Sequence, residues 1–355
     1  MRLLLHVILG LLWLTPSAGA CPDSCKCSRK SGPERSEVNC HKRGLLTFPS
    51  NLPPDTWNLK LGENGITDLK AALLKTVPKI ESLNLERNAI KFIHPQAFTG
   101  AKQLMLLKLY GNHISTLPPR ALQELRNLRF LMLGQNEIGA LRPDMFVGLR
   151  NLSELDLPLN GLSKLTPNAF KPLIVLKVLD LSMNRITTIS PKAFTGLRQL
   201  LFLNLDNNSI KTLPAGVFKP LRALEMLVLD NNLLTTLETT VLDGLVNLQE
   251  LYLRNNELES LPPGIFRGTT LLSQLALSGN KLKSLDGNLF APVTGMKKLH
   301  LHDNPWHCDC NIRSLVQYLS QTQSSVSPSL RCVSPQQLHG KTMSSLKEDQ
   351  TVCPA

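Results

Sequence analysis

An asparagine recurs every 24 residues, and this feature constrains the fold of the chain more than any other. The spacing holds without exception over eleven positions. These positions are 64, 88, 112, 136, 160, 184, 208, 232, 256, 280 and 304. A fixed period of this length is typical of one structural unit stacked on copies of itself, each touching only its neighbours. The sequence therefore predicts a solenoid.

Apolar residues stand at fixed places around each asparagine. In one copy, Leu176, Leu179 and Leu181 precede Asn184, and Ile186 follows it. The leucines at 179 and 181 are two residues apart, so they lie on one side of a short strand and face the core. A buried asparagine has both a donor and an acceptor, so it can satisfy backbone groups of the turn. The pattern predicts one short strand in every repeat.

A large apolar residue recurs ten positions after most of these asparagines. We expect these side chains to pack as a spine beneath the convex side of the solenoid. The residues are Phe98, Phe146, Phe170, Phe194, Phe218, Phe266 and Phe290, with Leu74, Leu122 and Leu242 in other repeats.

The motif L-x-x-L-x-L-x-x-N-x-L is the leucine-rich-repeat signature. Four cysteines stand at each end, as C-x3-C-x-C-x12-C and C-x-C-x21-C-x20-C. With these motifs the chain resembles the secreted and cell-surface leucine-rich-repeat proteins that carry a four-cysteine cap at both ends. The resemblance implies an α/β solenoid, a horseshoe with a parallel concave β-sheet of about eleven short strands. It also implies protein binding, often through the concave sheet.

The resemblance further implies how the cysteines pair and where the domains end. The implied disulfides are Cys21–Cys27, Cys25–Cys40, Cys308–Cys332 and Cys310–Cys353. A helix over about residues 312–320 would cover the last repeat. We divide the chain into a signal peptide at 1–20, an N-terminal cap at 21–54, repeats at 55–303 and a C-terminal cap at 304–355.

The first twenty residues predict secretion. An apolar run from Leu3 to Leu14 follows Arg2, and cleavage is expected before Cys21. No later apolar run is long enough for a membrane helix, and no hydrophobic tail follows Cys353. We therefore expect a protein of the extracellular space or matrix that does not span a membrane.

Residues 300–311, HLHDNPWHCDCN, carry the residue types that bind zinc. The repeat register places His300 and His302 on the concave strand, whereas Cys308 and Cys310 begin the cap. We therefore predict disulfides, no resident metal and no cofactor, although adventitious metal on the two histidines stays open. No HExxH or GxSxG motif occurs. We predict no catalytic residues and no enzyme.

Apolar and acidic residues share the outward positions of the middle strands. A contiguous exposed apolar patch usually marks an interface, although scattered exposed apolar residues are ordinary. The expected partner-binding residues are Tyr110, Phe130, Met132, Asp156, Val178, Asp180, Phe202, Asp206, Met226, Asp230 and Tyr252.

The expected partner is an extracellular protein ligand or receptor, captured on the concave face. The alternative is a matrix structural or adhesion protein that binds collagen or glycosaminoglycan. The net charge is +12, and the basic N-terminal cap would hold the glycosaminoglycan. Nucleic acid is not expected. Asn151 and Asn207 are predicted glycosylation sites, and a sugar on Asn207 would shade part of the patch.

Overall fold

Short strands, one from each repeat, line the concave side of the molecule. The computed structural model describes residues 19–29, 32, 34–321, 325–326, 330–351 and 353. The predicted signal peptide lies outside the described residues except for its last two positions. The strands are β1 Lys26–Ser28, β2 Ser36–Asn39, β3 Thr56–Lys60, β4 Asp68–Leu69, β5 Ser82–Asn84, β6 Phe92–Ile93, β7 Leu106–Lys108, β8 Phe130–Met132, β9 Glu154–Asp156, β10 Lys164–Leu165, β11 Val178–Asp180, β12 Thr188–Ile189, β13 Phe202–Asn204, β14 Met226–Val228, β15 Glu250–Tyr252, β16 Gln274–Ala276, β17 Lys298–His300 and β18 Ser325–Val326.

Fourteen of these strands form one sheet. Its order is β1-β2-β3-β5-β7-β8-β9-β11-β13-β14-β15-β16-β17-β18. Among the described strands of this sheet, only β1 and β2 pair antiparallel. Eleven strands, β3 to β17 in this order, come one from each repeat, which confirms the predicted parallel sheet. Neighbouring repeat strands pair with an offset of one repeat, as Val178 does with Phe202.

The molecule was predicted to belong to the α/β class, but little of it is helical. The convex side is built of turns, with two-stranded pairs β4–β6 and β10–β12. Within the described part of the chain, the one α-helix is α1, Arg313–Gln321. The 3-10 helices are Pro143–Phe146, Gly287–Phe290, Cys310–Ile312, Gln336–Leu338, Met343–Ser345 and Glu348–Gln350.

The repeated asparagines tie each turn of the solenoid to the turn before it. Asn184 Nδ2 donates to the carbonyls of Leu181 and Leu157, at 3.0 Å each. Its Oδ1 accepts the Leu162 N–H at 3.2 Å. One buried amide thus provides hydrogen-bond partners for three backbone groups of the turns, as the pattern predicted.

The residue before each of these asparagines has a left-handed backbone. This conformation turns the chain sharply inward after the strand. It favours glycine and asparagine, which hold five of the eleven positions. The residues are Glu63, Arg87, Gly111, Gln135, Leu159, Met183, Asn207, Asn231, Asn255, Gly279 and Asp303.

The predicted phenylalanine spine is confirmed. Phe146, Phe170, Phe194 and Phe218 are buried. Successive rings in this row stack with centroids 5.8–6.4 Å apart. The spine continues at the other end of the solenoid, where Phe290 stacks on the Tyr318 ring of α1 at 4.7 Å. Apolar packing therefore runs from the repeats into the C-terminal cap.

Disulfide-bonded caps close both ends. The bonds are Cys21–Cys27, Cys25–Cys40, Cys308–Cys332 and Cys310–Cys353, the pairs that the resemblance implied. Helix α1 begins one residue later than expected and buries Leu315 against the last repeat. Arg313 Nε in the same helix donates to Thr351 Oγ1 at 2.8 Å. This contact fastens the end of the chain to the cap.

In the described part of the chain, no helix combines the length and the apolar character needed to cross a bilayer.

Candidate ligand-binding surface

In-register pairing places the predicted concave residues in rows across the sheet. One row runs along the first residues of the strands, where Val178 pairs with Phe202 and Phe202 with Met226. These side chains are half-buried, and their neighbours lie about 4.8 Å away across the strands. They form the second apolar patch, which we define as Val178, Phe202, Met226, Val228 and Tyr252.

The first apolar patch is separate from the second. It consists of Tyr110, Phe130 and Met132, and Phe130 is 38% exposed. Strand β9 lies between the two patches, because Phe130 pairs with Glu154, which pairs with Val178. The prediction of one contiguous apolar surface is therefore wrong at strand β9. Two patches flank an acidic strand.

A small residue allows the first patch to extend toward one edge of the sheet. A Cβ on Gly134 would meet Tyr110 Cδ2 and Pro158 Cγ, both at 3.0 Å. The tyrosine and proline rings therefore close over the glycine. Next to Pro158 stands Leu159, whose side chain is 44% exposed. The apolar surface thus continues beyond the strands.

Two residues of this extension were missed by the sequence reasoning. Leu159 and Met183 are 44% and 49% exposed, although both carry large apolar side chains. Both have a left-handed backbone, with φ of 55° and 52°. Such a backbone is costly for these residue types, which is a reason to suspect function. The signal in the sequence is a large apolar residue, leucine or methionine, at a position where the other nine repeats place glycine or a polar residue.

The predicted acidic residues have different surroundings. Asp180 Oδ1 accepts the Ser182 N–H at 2.8 Å. Asp156 occupies the same position one repeat earlier. There the residue that corresponds to Ser182 is Pro158, which has no N–H to donate. Within the described residues, the Asp156 carboxylate has no hydrogen-bond or ion-pair partner. Burial, together with the charges of Glu154 and Asp180, raises the pKa of Asp156 to about 6.

Asp206 is held by amides at the edge of the sheet. Its Oδ1 accepts from Asn231 Nδ2 at 2.8 Å, and its Oδ2 accepts from Asn207 Nδ2 at 2.7 Å. Asn231 in turn accepts from Asn255 Nδ2 at 2.9 Å. A sugar on Asn207 would start from this exposed chain of amides, beside the second apolar patch.

Asp230 differs from the other acids because it is only 7% exposed. Its Oδ1 accepts the Arg254 N–H at 2.6 Å, and its Oδ2 accepts from Arg254 Nε at 2.8 Å. Burial raises the pKa of Asp230, while the bonds and charge of Arg254 oppose that rise. Asp230 therefore serves to hold Arg254 and offers little charge to a ligand.

Arg254 and Tyr252 form the end of the second patch. The guanidinium lies over the Tyr252 ring, 4.9 Å from its centroid. The Tyr252 hydroxyl donates to Glu250 and accepts from Gln274 Nε2, the latter at 2.9 Å. Burial and the bond to Glu250 raise the pKa of Tyr252 to about 12. This network presents a fixed aromatic face to the concave side.

The histidine and cysteine stretch does not gather into a metal site. Cys308 and Cys310 are both in disulfides. His302 Nδ1 lies 2.7 Å from the Asp303 carboxylate. Throughout the described ranges, no three His, Cys, Asp or Glu side chains are grouped to hold a metal ion.

Comparison with known proteins agrees with this architecture. The Leucine rich repeat family matches five overlapping segments that together span residues 57–305, well over half of the chain. The Leucine rich repeat N-terminal domain matches residues 20–53. Neither description indicates an enzyme.

Relatives match only part of this chain. Leucine-rich repeat-containing protein 3 of Danio rerio is 35% identical over 101 residues, which are 28% of this chain and 37% of that protein. Leucine-rich repeat-containing protein 3B of Homo sapiens is 35% identical over 105 residues, 30% of this chain and 39% of that protein. The chain thus spans less than two-fifths of the length of these relatives.

One solved structure matches nearly the whole chain. It is a chain of the octameric complex of Latrophilin 3 (Lec, Olf), Unc5D (Ig, Ig2, TSP1) and FLRT2 (LRR). The identity is 26% and the TM-score 0.74, covering 94% of this chain and 100% of that chain. The match therefore extends over the repeats and the caps.

Proposed function

Because the chain belongs to the leucine-rich repeat family, we propose that it is a secreted, non-catalytic binding protein that captures a protein ligand on its concave face. One observation carries this proposal. Two half-exposed apolar patches lie on the concave side of the sheet. The Asp156 carboxylate, which has no ion-pair partner among the described residues, lies between them on strand β9. Apolar groups that exclude water, with charges beside them, suit a protein interface.

The family and the caps support this reading. The matched complex contains a leucine-rich-repeat component together with other proteins. Disulfides at both ends are typical of proteins made for an oxidising compartment. An extracellular ligand or receptor is the partner that fits both facts.

The surface favours a ligand that brings a cation to strand β9. Among the described residues Asp156 has no hydrogen-bond donor, and two further acids stand close to it, Glu154 on the same strand and Asp180 on the next. A lysine or arginine from the ligand would satisfy this carboxylate and lower its pKa. We therefore expect binding to weaken as the pH falls below about 6, because Asp156 then takes up a proton.

The matrix role stays the second candidate, but the N-terminal cap suits it less than the sequence suggested. Arg35 Nη2 lies 2.7 Å from the Glu81 carboxylate and Lys42 Nζ lies 2.9 Å from that of Glu63. Arg29 also faces a carboxylate, that of Asp55 at 3.9 Å. These pairs reduce the positive charge that the cap offers to a glycosaminoglycan.

Affinity capture from plasma and cell-surface extracts tests the concave proposal. The baits are the unmodified protein, the double variant Phe130→Ala/Phe202→Ala and the control Phe92→Ala. Phe92 is 58% exposed and lies on β6, away from the concave sheet. The control therefore removes the same side chain from another surface.

We expect the concave double variant to lose the partner that the control retains. Truncating an aromatic at the centre of an interface typically weakens binding by about thirtyfold or more. Equal capture by all three baits would contradict a concave site. Loss by Phe92→Ala alone would move the site to the convex side.

A further inference from the structure

We propose that the edge of the solenoid where the concave strands begin is a second binding surface, specific for a sulfated glycosaminoglycan. Five cations each stand four residues before the first residue of a concave strand, and these strands are β7, β8, β9, β13 and β14. We call this surface the basic edge, and it consists of Lys102, Arg126, Arg150, Arg198 and Arg222. It is separate from the concave patches, so it stands or falls independently of the proposed protein ligand.

The cations of the basic edge are exposed and unpaired. All five side chains are exposed, and none has an ion-pair partner within the described residues. Glu124, which lines the cleft with Lys102, Arg126 and Arg150, accepts the Gly100 N–H with Oε2 at 2.9 Å. The N-terminal cap is different because three of its cations, Arg29, Arg35 and Lys42, face carboxylates. All five positive charges of the basic edge are therefore available to an anionic partner.

Side-chain amides hold the backbone of the basic edge in place. Asn127 Nδ2 donates to the Lys102 carbonyl at 2.9 Å, and Asn151 Nδ2 donates to the Arg126 carbonyl at 2.9 Å. Asn247 Nδ2 likewise donates to the carbonyl of Arg222 at 2.8 Å. Lys102, Arg126 and Arg222 thus project from anchored backbone, and their side chains adapt to a partner.

The cations form a line rather than a cluster. Five turns separate Lys102 from Arg222, which gives a length of roughly 25 Å at the spacing of parallel strands. The turn that carries Ile174 interrupts the line. Lys171 and Lys177 lie on that turn and are exposed, so positive charge continues across it. A row of charges matches an extended polyanion better than a compact anion.

Clefts between the turns add depth to this surface. One cleft of about 750 Å³ is lined by Lys102, Arg126 and Arg150. Another of about 560 Å³ is lined by Lys192, Arg198 and Arg222. Sulfate groups along one chain could enter successive clefts. The charge and shape together therefore indicate a linear sulfated polymer.

The disulfides indicate which class of polyanion is present where the basic edge would bind it. Four disulfides indicate an oxidising compartment outside the cytosol. Sulfated glycans are the abundant linear polyanions there, whereas nucleic acids are not. The partner that we assign is therefore a glycosaminoglycan.

A sugar on Asn151 would stand in the middle of the basic edge. Asn151 lies beside Arg150, and its Nδ2 contacts the Arg126 carbonyl. The variant Ser153→Ala removes the glycosylation motif and keeps this contact. If Asn151 is glycosylated, Ser153→Ala should bind heparin several-fold more tightly than the unmodified protein.

The test measures heparin binding to three forms of the full chain by surface plasmon resonance at about 0.15 M salt, where charges are screened beyond about 8 Å. The first is unmodified, and the second is Arg126→Glu/Arg150→Glu/Arg198→Glu. The third, Lys70→Glu/Lys91→Glu/Lys211→Glu, makes the same change in net charge on exposed residues elsewhere. Glutamine versions of the edge variant serve if the glutamate version does not fold.

We expect the edge variant to bind at least tenfold more weakly and the control to change by less than threefold. Equal losses in both variants would show that heparin follows net charge, which overturns the proposal. Desulfated heparin, duplex DNA and vesicles with anionic lipid are run as competitors. If DNA or vesicles compete as well as heparin, the assignment to a glycosaminoglycan is wrong.

Discussion

At the scale of the residue, one missing N–H distinguishes two aspartates with the same place in the repeat. Asp180 accepts the Ser182 N–H, whereas Asp156 faces Pro158. Asn84 and Asn204 occupy the same place and also accept the N–H two residues later. The proline therefore leaves Asp156 as a carboxylate without a donor among the described residues.

The raised pKa of Asp156 makes its charge a cost to folding. Because the folded pKa is about 6 and the ordinary value is 3.8, the folded protein holds a proton that the unfolded chain releases. Stability is therefore lost as the pH rises from about 4 to 6. We expect Asp156→Asn to be more stable above pH 6, by ~1 kcal/mol after allowance for solvent screening.

Thermal unfolding followed by circular dichroism from pH 4 to pH 7 measures this effect. Asp243→Asn is the control, since Asp243 is exposed and its charge does not contribute to the pKa shift of Asp156. The gain for Asp156→Asn should grow with pH up to about 6 and then stay constant. A gain that is the same at pH 4 and pH 7 would rule out titration of Asp156 as its cause.

At the scale of the element, the asparagine ladder joins one repeat to the next. Replacing Asn184 by alanine would leave the carbonyls of Leu157 and Leu181 and the N–H of Leu162 unsatisfied in the core. Each such group costs about 1–3 kcal/mol. We expect Asn184→Ala to lower the free energy of unfolding by about 3 kcal/mol or more.

Denaturation in urea measures this loss, with Asn247→Ala as the control. Asn247 is exposed, and it donates to the Arg222 carbonyl, which water can also reach. The control should cost less than about 1 kcal/mol. Similar losses in the two variants would mean that burial of the ladder amides contributes little.

The strand element also explains how the concave surface is divided. Parallel pairing in register puts each outward residue beside its counterpart one repeat away. A single acidic strand, β9, is enough to separate two apolar patches. A ligand that covers both must place polar or cationic groups over β9.

At the scale of the whole molecule, the solenoid needs its ends closed. Each repeat touches only its neighbours, so an exposed terminal repeat can unfold first and the next can follow. The C-terminal cap prevents this by stacking Tyr318 on Phe290 and burying Leu315. Disulfides hold the cap together across long stretches of sequence.

We expect Cys308→Ser/Cys332→Ser to loosen the molecule from its C-terminal end. The bond closes a segment of 24 residues, and its loss typically costs 2–5 kcal/mol. Hydrogen exchange should therefore speed up first in β16 and β17 and only later in β9 and β11. Uniform acceleration across all repeats would contradict independent fraying of the end.

The sequence by itself determined the repeat, the parallel sheet and the outward rows of side chains. The reason is that every such contact joins residues of the same repeat or of neighbouring repeats, so the pattern of one repeat specifies its contacts with the next. The ladder bonds of Asn184 and the stacking of Phe170 on Phe194 follow from that period alone.

Only the tertiary structure decided which charges are available to a partner. Ion pairs such as Arg35 with Glu81 and Arg254 with Asp230 depend on the reach and direction of side chains, which spacing does not encode. The first pair reduces the positive charge of the N-terminal cap, and the second removes Asp230 from the binding surface. The cations of the basic edge have no ion-pair partner among the described residues. The period fixes where a side chain stands, and packing fixes what that side chain can still bind.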